Sequence, residues 1–162
     1  MYLPSLLDRL TEGGSAAAQP ASMRYSIEQM KETVGRDIEV ILNSRPAWRP
    51  CDLAAFPHAA RSVITLGLPD ITSLSFGRDA DRRLIVEAIR SALTLGDSRL
   101  SNVQVSVREA GASTSVDRLV FSIRANVRLN PGTEAVNFDA VMRPGSALYE
   151  VFKHEQRRER LA

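Results

Sequence analysis

The stretch from Leu95 to Val107, LGDSRLSNVQVSV, decides the fold, because the spacing of its apolar residues changes within it. Before Asp97 the apolar residues recur every three or four positions, which predicts an amphipathic helix; after Arg99 they alternate with polar residues, which predicts a strand with one buried face. The stretch therefore predicts a corner between a helix and a sheet. Asp97, Ser98 and Arg99 lie at this corner, so the carboxylate and the guanidinium held there are candidate functional groups.

Two long helices are predicted upstream of the corner. Ser26 followed by Gln29 is a capping-box pattern, which marks the start of the first helix, and Pro46 forbids its continuation. The second helix is predicted over residues 82–95. Each helix has one apolar face, formed in the first by Ile27, Met30, Val34, Ile38, Ile41 and Leu42 and in the second by Leu84, Ile85, Ala88, Ile89, Ala92 and Leu93.

The segment between the two helices is rich in proline and contains the lone tryptophan, Trp48. Residues 47–57 predict an irregular, packed connection with Trp48 in the core. Residues 59–66 predict a short helix that Gly67 ends.

Three strands are predicted downstream of the corner. The first contains the alternating Val103, Val105 and Val107, the second runs over residues 116–129, and the third begins at Val136. Each has one polar face, so the apolar faces need cover. The predicted fold class is α+β with two layers, in which two long helices pack on a three-stranded antiparallel meander.

The two ends of the chain differ from the predicted domain at residues 23–145. Residues 1–12 predict a short docking helix with one apolar stripe, followed by a flexible linker at residues 13–22. An isolated helix this short is not stable in water. Its stripe must therefore dock on its own domain or on another protein. Residues 146–162 form a charged tail that is predicted to be solvated and helical.

Composition limits the functional classes. The chain has 162 residues, 44% of them hydrophobic, and a formal net charge of +2, which is too small an excess to indicate a nucleic-acid-binding protein. Cys51 is the lone cysteine, and there is no early apolar run of the kind that precedes a signal cleavage site. These features predict one soluble domain in the cytoplasm, without a disulfide framework.

The sequence offers little to build a catalytic or metal site. The two histidines, His58 and His154, are far apart, and Cys51 near His58 predicts a packed thiol more readily than a catalytic dyad. Glycoside hydrolysis needs two carboxylates across a cleft, and Asp97, Glu87 and Asp70 are the candidates. The spacing of these carboxylates in the sequence does not place two of them on opposite sides of a cleft. We therefore expect no enzyme activity, no metal and no cofactor.

The order of several segments carries a family resemblance. SLLDRL at residues 5–10 is followed by VGRDIEVILNSR at residues 34–45, by SVITLGLPD at residues 62–70, and by Arg99-Leu100 before the alternating valines. This order resembles TssE, the baseplate wedge subunit of the bacterial type VI secretion system, which is related to a wedge protein of tailed-phage baseplates. The resemblance covers most of residues 5–142.

The resemblance implies that the corner is a docking site. The family has a Glu-Pro-Arg triplet there, through which it docks onto other wedge subunits. In this chain Arg99 is kept, Asp97 stands in place of the glutamate and Ser98 in place of the proline. Because proline would hold the backbone at φ near −65°, we expect the corner to keep its charges and to lose some of its preorganisation.

The resemblance also implies the function. It describes a structural protein at the cytoplasmic side of an inner-membrane-associated baseplate, with the wedge subunits TssF, TssG and TssK and the sheath proteins TssB and TssC as partners, and with no nucleic acid or membrane insertion. The family has carried a lysozyme-like label, so a peptidoglycan muramidase is an alternative, and a free-standing peptide-binding adaptor is another. The candidate partner-binding residues are Asp97, Ser98 and Arg99 at the corner, Leu6, Leu7 and Leu10 in the N-terminal stripe, and Arg118, Arg124 and Arg128 on the polar face of the sheet.

Overall fold

A computed structural model describes residues 25–75, 77–108, 119–129, 132–143 and 148–154 of the chain. The α+β class is confirmed. The elements, in chain order, are helix α1 (Ile27–Asn43), three short 3₁₀ turns (Pro50–Leu53, Ala59–Arg61 and Val63–Thr65), helix α2 (Asp79–Gly96) and strands β1 (Leu100–Arg108), β2 (Leu119–Arg128), β3 (Thr133–Arg143) and β4 (Leu148–Lys153). In the described part of the chain, no helix combines the length and the apolar character that a membrane crossing would need.

The predicted capping box starts α1. The backbone N–H of Gln29 donates to the Ser26 hydroxyl at 3.2 Å, and the Ser26 N–H donates to the Gln29 side chain at 2.9 Å. Both satisfy donors that a helix N-terminus leaves without a partner. The helix runs to Asn43, three residues before Pro46.

The sheet has four antiparallel strands in the order β1-β2-β3-β4, so the predicted three-stranded meander is wrong in strand number. The additional strand, β4, pairs with β3 from Phe138 opposite Lys153 to Arg143 opposite Leu148. It lies in the segment that was predicted as a helical tail. Its residues, Leu-Tyr-Glu-Val-Phe-Lys, favour a strand, and the fully buried Tyr149 packs on the core. Residues 155–162 lie outside the described part.

The two helices cover one face of the sheet and enclose the core. Helix α1 packs mainly on β4, and α2 packs on β1. At Gly35 a Cβ atom would lie 3.1 Å from the Phe138 ring, so the absence of a side chain lets α1 approach β3 closely. The largest fully buried side chains include Ile38, Leu42, Ile85, Ile89, Leu93, Phe121, Ile123 and Phe138.

The connection between the helices differs from its prediction. Residues 59–66 form two 3₁₀ turns instead of one short helix. Trp48 is 56% exposed, so its prediction as a core residue is wrong. No residue from 47 to 64 is buried.

One edge of the sheet is covered by side chains of α1. The side-chain amide of Asn43 bonds to the backbone of β4 in the way that a neighbouring strand would. Its Nδ2 donates to the carbonyl of Tyr149 at 2.9 Å, and its Oδ1 accepts from the Tyr149 N–H at 2.8 Å. Glu39, one turn earlier, accepts from the N–H of Val151 at 3.0 Å. These bonds occupy backbone groups of β4 that an added strand would need. The opposite edge is β1, which has no second neighbouring strand among the described residues.

We expect Asn43→Ala to lower the free energy of unfolding by about 2 kcal/mol, since it removes two hydrogen bonds to a part-buried strand at about 1 kcal/mol each. The measurement is urea unfolding of the purified chain. Gln104→Ala is the matched control, because it removes an exposed amide from β1, and a change within about 0.5 kcal/mol is expected. Equal losses in the two variants would show that Asn43 does not hold the β4 edge.

Candidate functional site

The predicted corner lies where α2 ends and β1 begins. Asp97 is extended (φ −131°, ψ 107°), and its N–H still donates to the carbonyl of Leu93 at 3.1 Å. The Leu100 N–H donates to the carbonyl of Asp97 at 3.1 Å, which closes the turn. A Cβ atom on Gly96 would come within 2.9 Å of the Ile41 side chain, so a glycine lets the end of α2 approach α1 here.

Asp97 and Arg99 form a close ion pair. The Nε atom of Arg99 lies 2.9 Å from Oδ1 of Asp97, and Nη2 lies 2.7 Å from Oδ2. The Arg99 backbone N–H also donates to Oδ1 at 2.9 Å. The Asp97 side chain is only 8% exposed, so this planar two-point contact compensates a carboxylate that has lost most of its water.

A third residue, Asp37 on α1, completes the site. Arg99 Nη2 donates to Oδ2 of Asp37 as well as to Asp97. The three side chains form the corner triad, in which two carboxylates share one guanidinium and leave a net negative charge. The hydrogen bonds with Asp97 raise the pKa of Arg99 above its usual value. Burial lowers this pKa, and the hydrogen bond to Asp37 raises it further.

Sequence reasoning missed Asp37. It is 62 positions from Arg99, and no local spacing pattern indicates a contact of that kind. The only available signal was that Asp37 lies within the VGRDIEVILNSR segment that carries the family resemblance.

Arg128 joins the corner from β2. Its backbone N–H donates to the carbonyl of Arg99 at 2.8 Å, and its Nη2 donates to the carbonyl of Ser98 at 3.3 Å. Ser98 itself is exposed. The corner is therefore held by side chains on both sides of the position where the family has proline, which offsets the loss of preorganisation expected from Ser98.

Arg124 lies apart from the corner, on the face of the sheet that the helices do not cover. It is exposed and lines a shallow cavity of about 230 Å³ whose polar lining also includes Asn102, Gln104, Asn126 and Asn137. Asn102 has φ +56° at a β-bulge, which bends the start of β1. Leu6, Leu7, Leu10 and Arg118, the other predicted partner-binding residues, lie outside the described residues.

The carboxylates considered for glycoside hydrolysis are each engaged locally. Asp70 accepts from the N–H and the hydroxyl of Thr72 at 2.9 and 2.7 Å, and these bonds lower its pKa. Glu87 accepts from Nε of Arg90 at 2.8 Å, and that arginine lowers the pKa of Glu87. A general acid at neutral pH needs the opposite shift.

The environments of Cys51 and His154 do not form a catalytic or metal site among the described residues. Cys51 is exposed, so the prediction of a packed thiol is wrong, and its Sγ lies 3.8 Å from a carboxylate oxygen of Asp52. His154 Nδ1 lies 3.0 Å from Oδ2 of Asp139, a fully buried carboxylate that Arg108 approaches to 3.7 Å. Among the described side chains no group of three or more metal-ligating residues is suited to hold an ion.

Comparison with known proteins gives a family and one structural similarity. A family model described as baseplate wedge protein gp25 matches residues 28–132, from the first turn of α1 to the residue before β3. One similar solved structure is a crystal structure from Geobacter sulfurreducens, named as a tail lysozyme candidate. The two sequences are 19% identical, the alignment covers 77% of this chain and 100% of that one, and the TM-score is 0.43. No curated protein matches the sequence.

We expect Arg99→Ala to lower the free energy of unfolding by about 3 kcal/mol, because it leaves the nearly buried carboxylate of Asp97 without its cation. Asp37→Asn should cost no more than about 1 kcal/mol, since Asp37 is 31% exposed and Arg99 keeps its bonds to Asp97. Urea unfolding of both variants measures the difference. If Arg99→Ala is as stable as Asp37→Asn, the triad does not support the corner.

Proposed function

The chain belongs to the baseplate wedge protein gp25 family, and on that basis we propose that it is a structural component of a contractile type VI secretion baseplate, where it links the wedge to the first sheath layer. Membership supports a structural baseplate role. The choice of a secretion apparatus rests on the resemblance to TssE. The observation that supports the proposal is the corner triad, whose hydrogen bonds restrain an exposed turn between α2 and β1.

The corner is proposed to dock onto the other wedge subunits, TssF, TssG and TssK. The triad holds the turn in one conformation, so little entropy is lost when a partner binds it. Ser98 at the turn and Leu95 just before it, which is 48% exposed, offer a small polar and apolar surface.

The sheet is proposed to contact the sheath proteins TssB and TssC. Because side chains of α1 occupy backbone groups of β4, an added strand is proposed to pair with β1, the other edge of the sheet among the described residues, through backbone hydrogen bonds. The exposed Arg124, with the amides around it, suits an acidic surface of the same partner. Arg118 and the stripe of Leu6, Leu7 and Leu10 are proposed as further partner contacts.

The muramidase alternative finds little support in the geometry. An inverting or retaining glycosidase needs two carboxyl groups that face a sugar from opposite sides. At the corner both carboxylates bind the same guanidinium, so neither is available to donate a proton or to attack a glycosyl carbon. We therefore propose a non-enzymatic protein that acts in the cytoplasm at the baseplate.

We expect Ser98→Tyr to weaken binding to the purified wedge subunits at least tenfold, because a ring at the turn would obstruct docking. The Tm should not change, since Ser98 is exposed. Binding is measured by titration calorimetry and stability by thermal unfolding. Ser73→Tyr, at an exposed serine in the loop before α2, is the matched control and should bind like the wild type. Normal binding by Ser98→Tyr would exclude the corner as the docking site.

We expect Arg124→Glu to weaken binding to the sheath proteins by about threefold to tenfold at low salt, because charge reversal turns an exposed attraction into repulsion. The difference should largely disappear at about 1 M salt, where the Debye length falls to roughly 3 Å. Binding is compared at several salt concentrations. Arg83→Glu, at an exposed arginine on α2, controls for net charge and should bind like the wild type. A salt-independent loss in Arg124→Glu would argue against an electrostatic contact.

A further inference from the structure

Residues 47–64 are here called the apolar connection. The segment is rich in apolar residues, yet none of them is fully buried in the core. Trp48 is 56% exposed, Phe56 65% and Val63 76%. No residue within the segment is buried. Large apolar side chains that are exposed within one short segment are typical of an interaction surface.

The apolar connection is held in shape by its own backbone. The N–H groups of Ala47 and Trp48 donate to the carbonyl of Ile64 at 3.0 and 3.2 Å, which joins the two ends of the segment. Inside it, the N–H of Phe56 donates to the carbonyl of Leu53 at 2.8 Å, and the next turn follows the same pattern. The exposed side chains are therefore presented from a preorganised surface, which reduces the entropy cost of binding.

These backbone bonds also limit the kind of partner. Because many of the N–H and C=O groups already bond within the 3₁₀ turns, the segment offers no row of free groups to an added strand. It offers side chains, and an apolar side-chain surface suits the apolar stripe of an amphipathic helix. Tryptophan and arginine, which carry much of the binding energy at protein interfaces, are both present here.

The charges around the apolar connection indicate the polar part of that partner. Arg45, Arg49 and Arg61 are exposed, and two exposed carboxylates, Asp52 and Asp70, interact with Arg49 and Arg45. Asp52 accepts two bonds of 2.9 Å from Arg49, and Asp70 interacts electrostatically with Arg45, so Arg61 leaves an excess positive charge on this surface. Acidic residues beside the stripe would complement it. An anionic membrane fits less well, because such surfaces are bound by clusters of roughly four to eight basic residues.

We propose that the apolar connection binds an amphipathic helix of another baseplate subunit, whose apolar stripe packs on Trp48, Phe56 and Val63 and whose acidic flanks face the arginines. The inference rests on the proposed function, and it adds a second docking surface to the corner. The two surfaces can be tested separately, because the apolar connection contains the lone thiol of the chain, Cys51.

The experiment measures the alkylation rate of Cys51 by iodoacetamide in the free chain and in its purified complex with the other wedge subunits. We expect the rate to fall at least tenfold in the complex. Phe56→Ser and Val63→Ser should each weaken the complex at least tenfold without changing the Tm, since neither side chain is buried. Leu84→Ser, at a 57% exposed leucine on α2, is the matched control and should bind normally.

Each other outcome overturns the inference in a different way. If the complex forms and Cys51 reacts as fast as in the free chain, the apolar connection is not an interface, and the proposed function stands. If the chain joins no wedge complex, the proposed function fails together with the inference. If phosphatidylserine vesicles alone, or a higher concentration of the chain alone, protect Cys51, the surface binds a membrane or a second copy instead.

Discussion

The guanidinium of Arg99 joins three elements that are far apart in the chain. It binds Asp97 at the end of α2 and Asp37 on α1, while the Arg99 carbonyl, just before β1, accepts from the N–H of Arg128 on β2. One side chain thereby links the end of α2, helix α1 and the start of the sheet. This explains how a turn without proline stays ordered: the carboxylate of Asp97 and the carbonyl of Ser98 are both held by arginines.

The two edge strands of the sheet, β4 and β1, differ in how their backbone groups are bonded. The amide of Asn43 and the carboxylate of Glu39 occupy backbone groups of β4, and both lie on the same face of α1, one turn apart. This arrangement protects one edge from pairing with other chains. The β1 edge has a bulge at its start, and no side chain covers it in this way among the described residues. The β1 edge is therefore more accessible to an added strand than the β4 edge. In a protein that assembles with others, this asymmetry restricts where an added strand can bind.

The three surfaces proposed as docking sites differ in chemistry. The corner combines two carboxylates with the guanidinium groups of Arg99 and Arg128. The face around Arg124 is basic and rich in amides, and the apolar connection exposes two aromatic rings. A wedge subunit that contacts several different proteins needs such differences, because distinct surfaces allow several partners to bind at once without competing.

The sequence by itself determined the helices, the capping box at Ser26, the corner with its ion pair and the family, since each depends on spacing within a few residues or on the order of segments. It did not determine β4, whose six residues follow no long pattern and become a strand only because β3 offers an edge and the core has room for Tyr149. Nor did it show that Trp48 is exposed, because an apolar residue carries no local signal of whether a core lies within its reach. Only the tertiary structure brought Asp37 to Arg99, because a contact across 62 positions depends on how two helices pack and not on the residues beside either one.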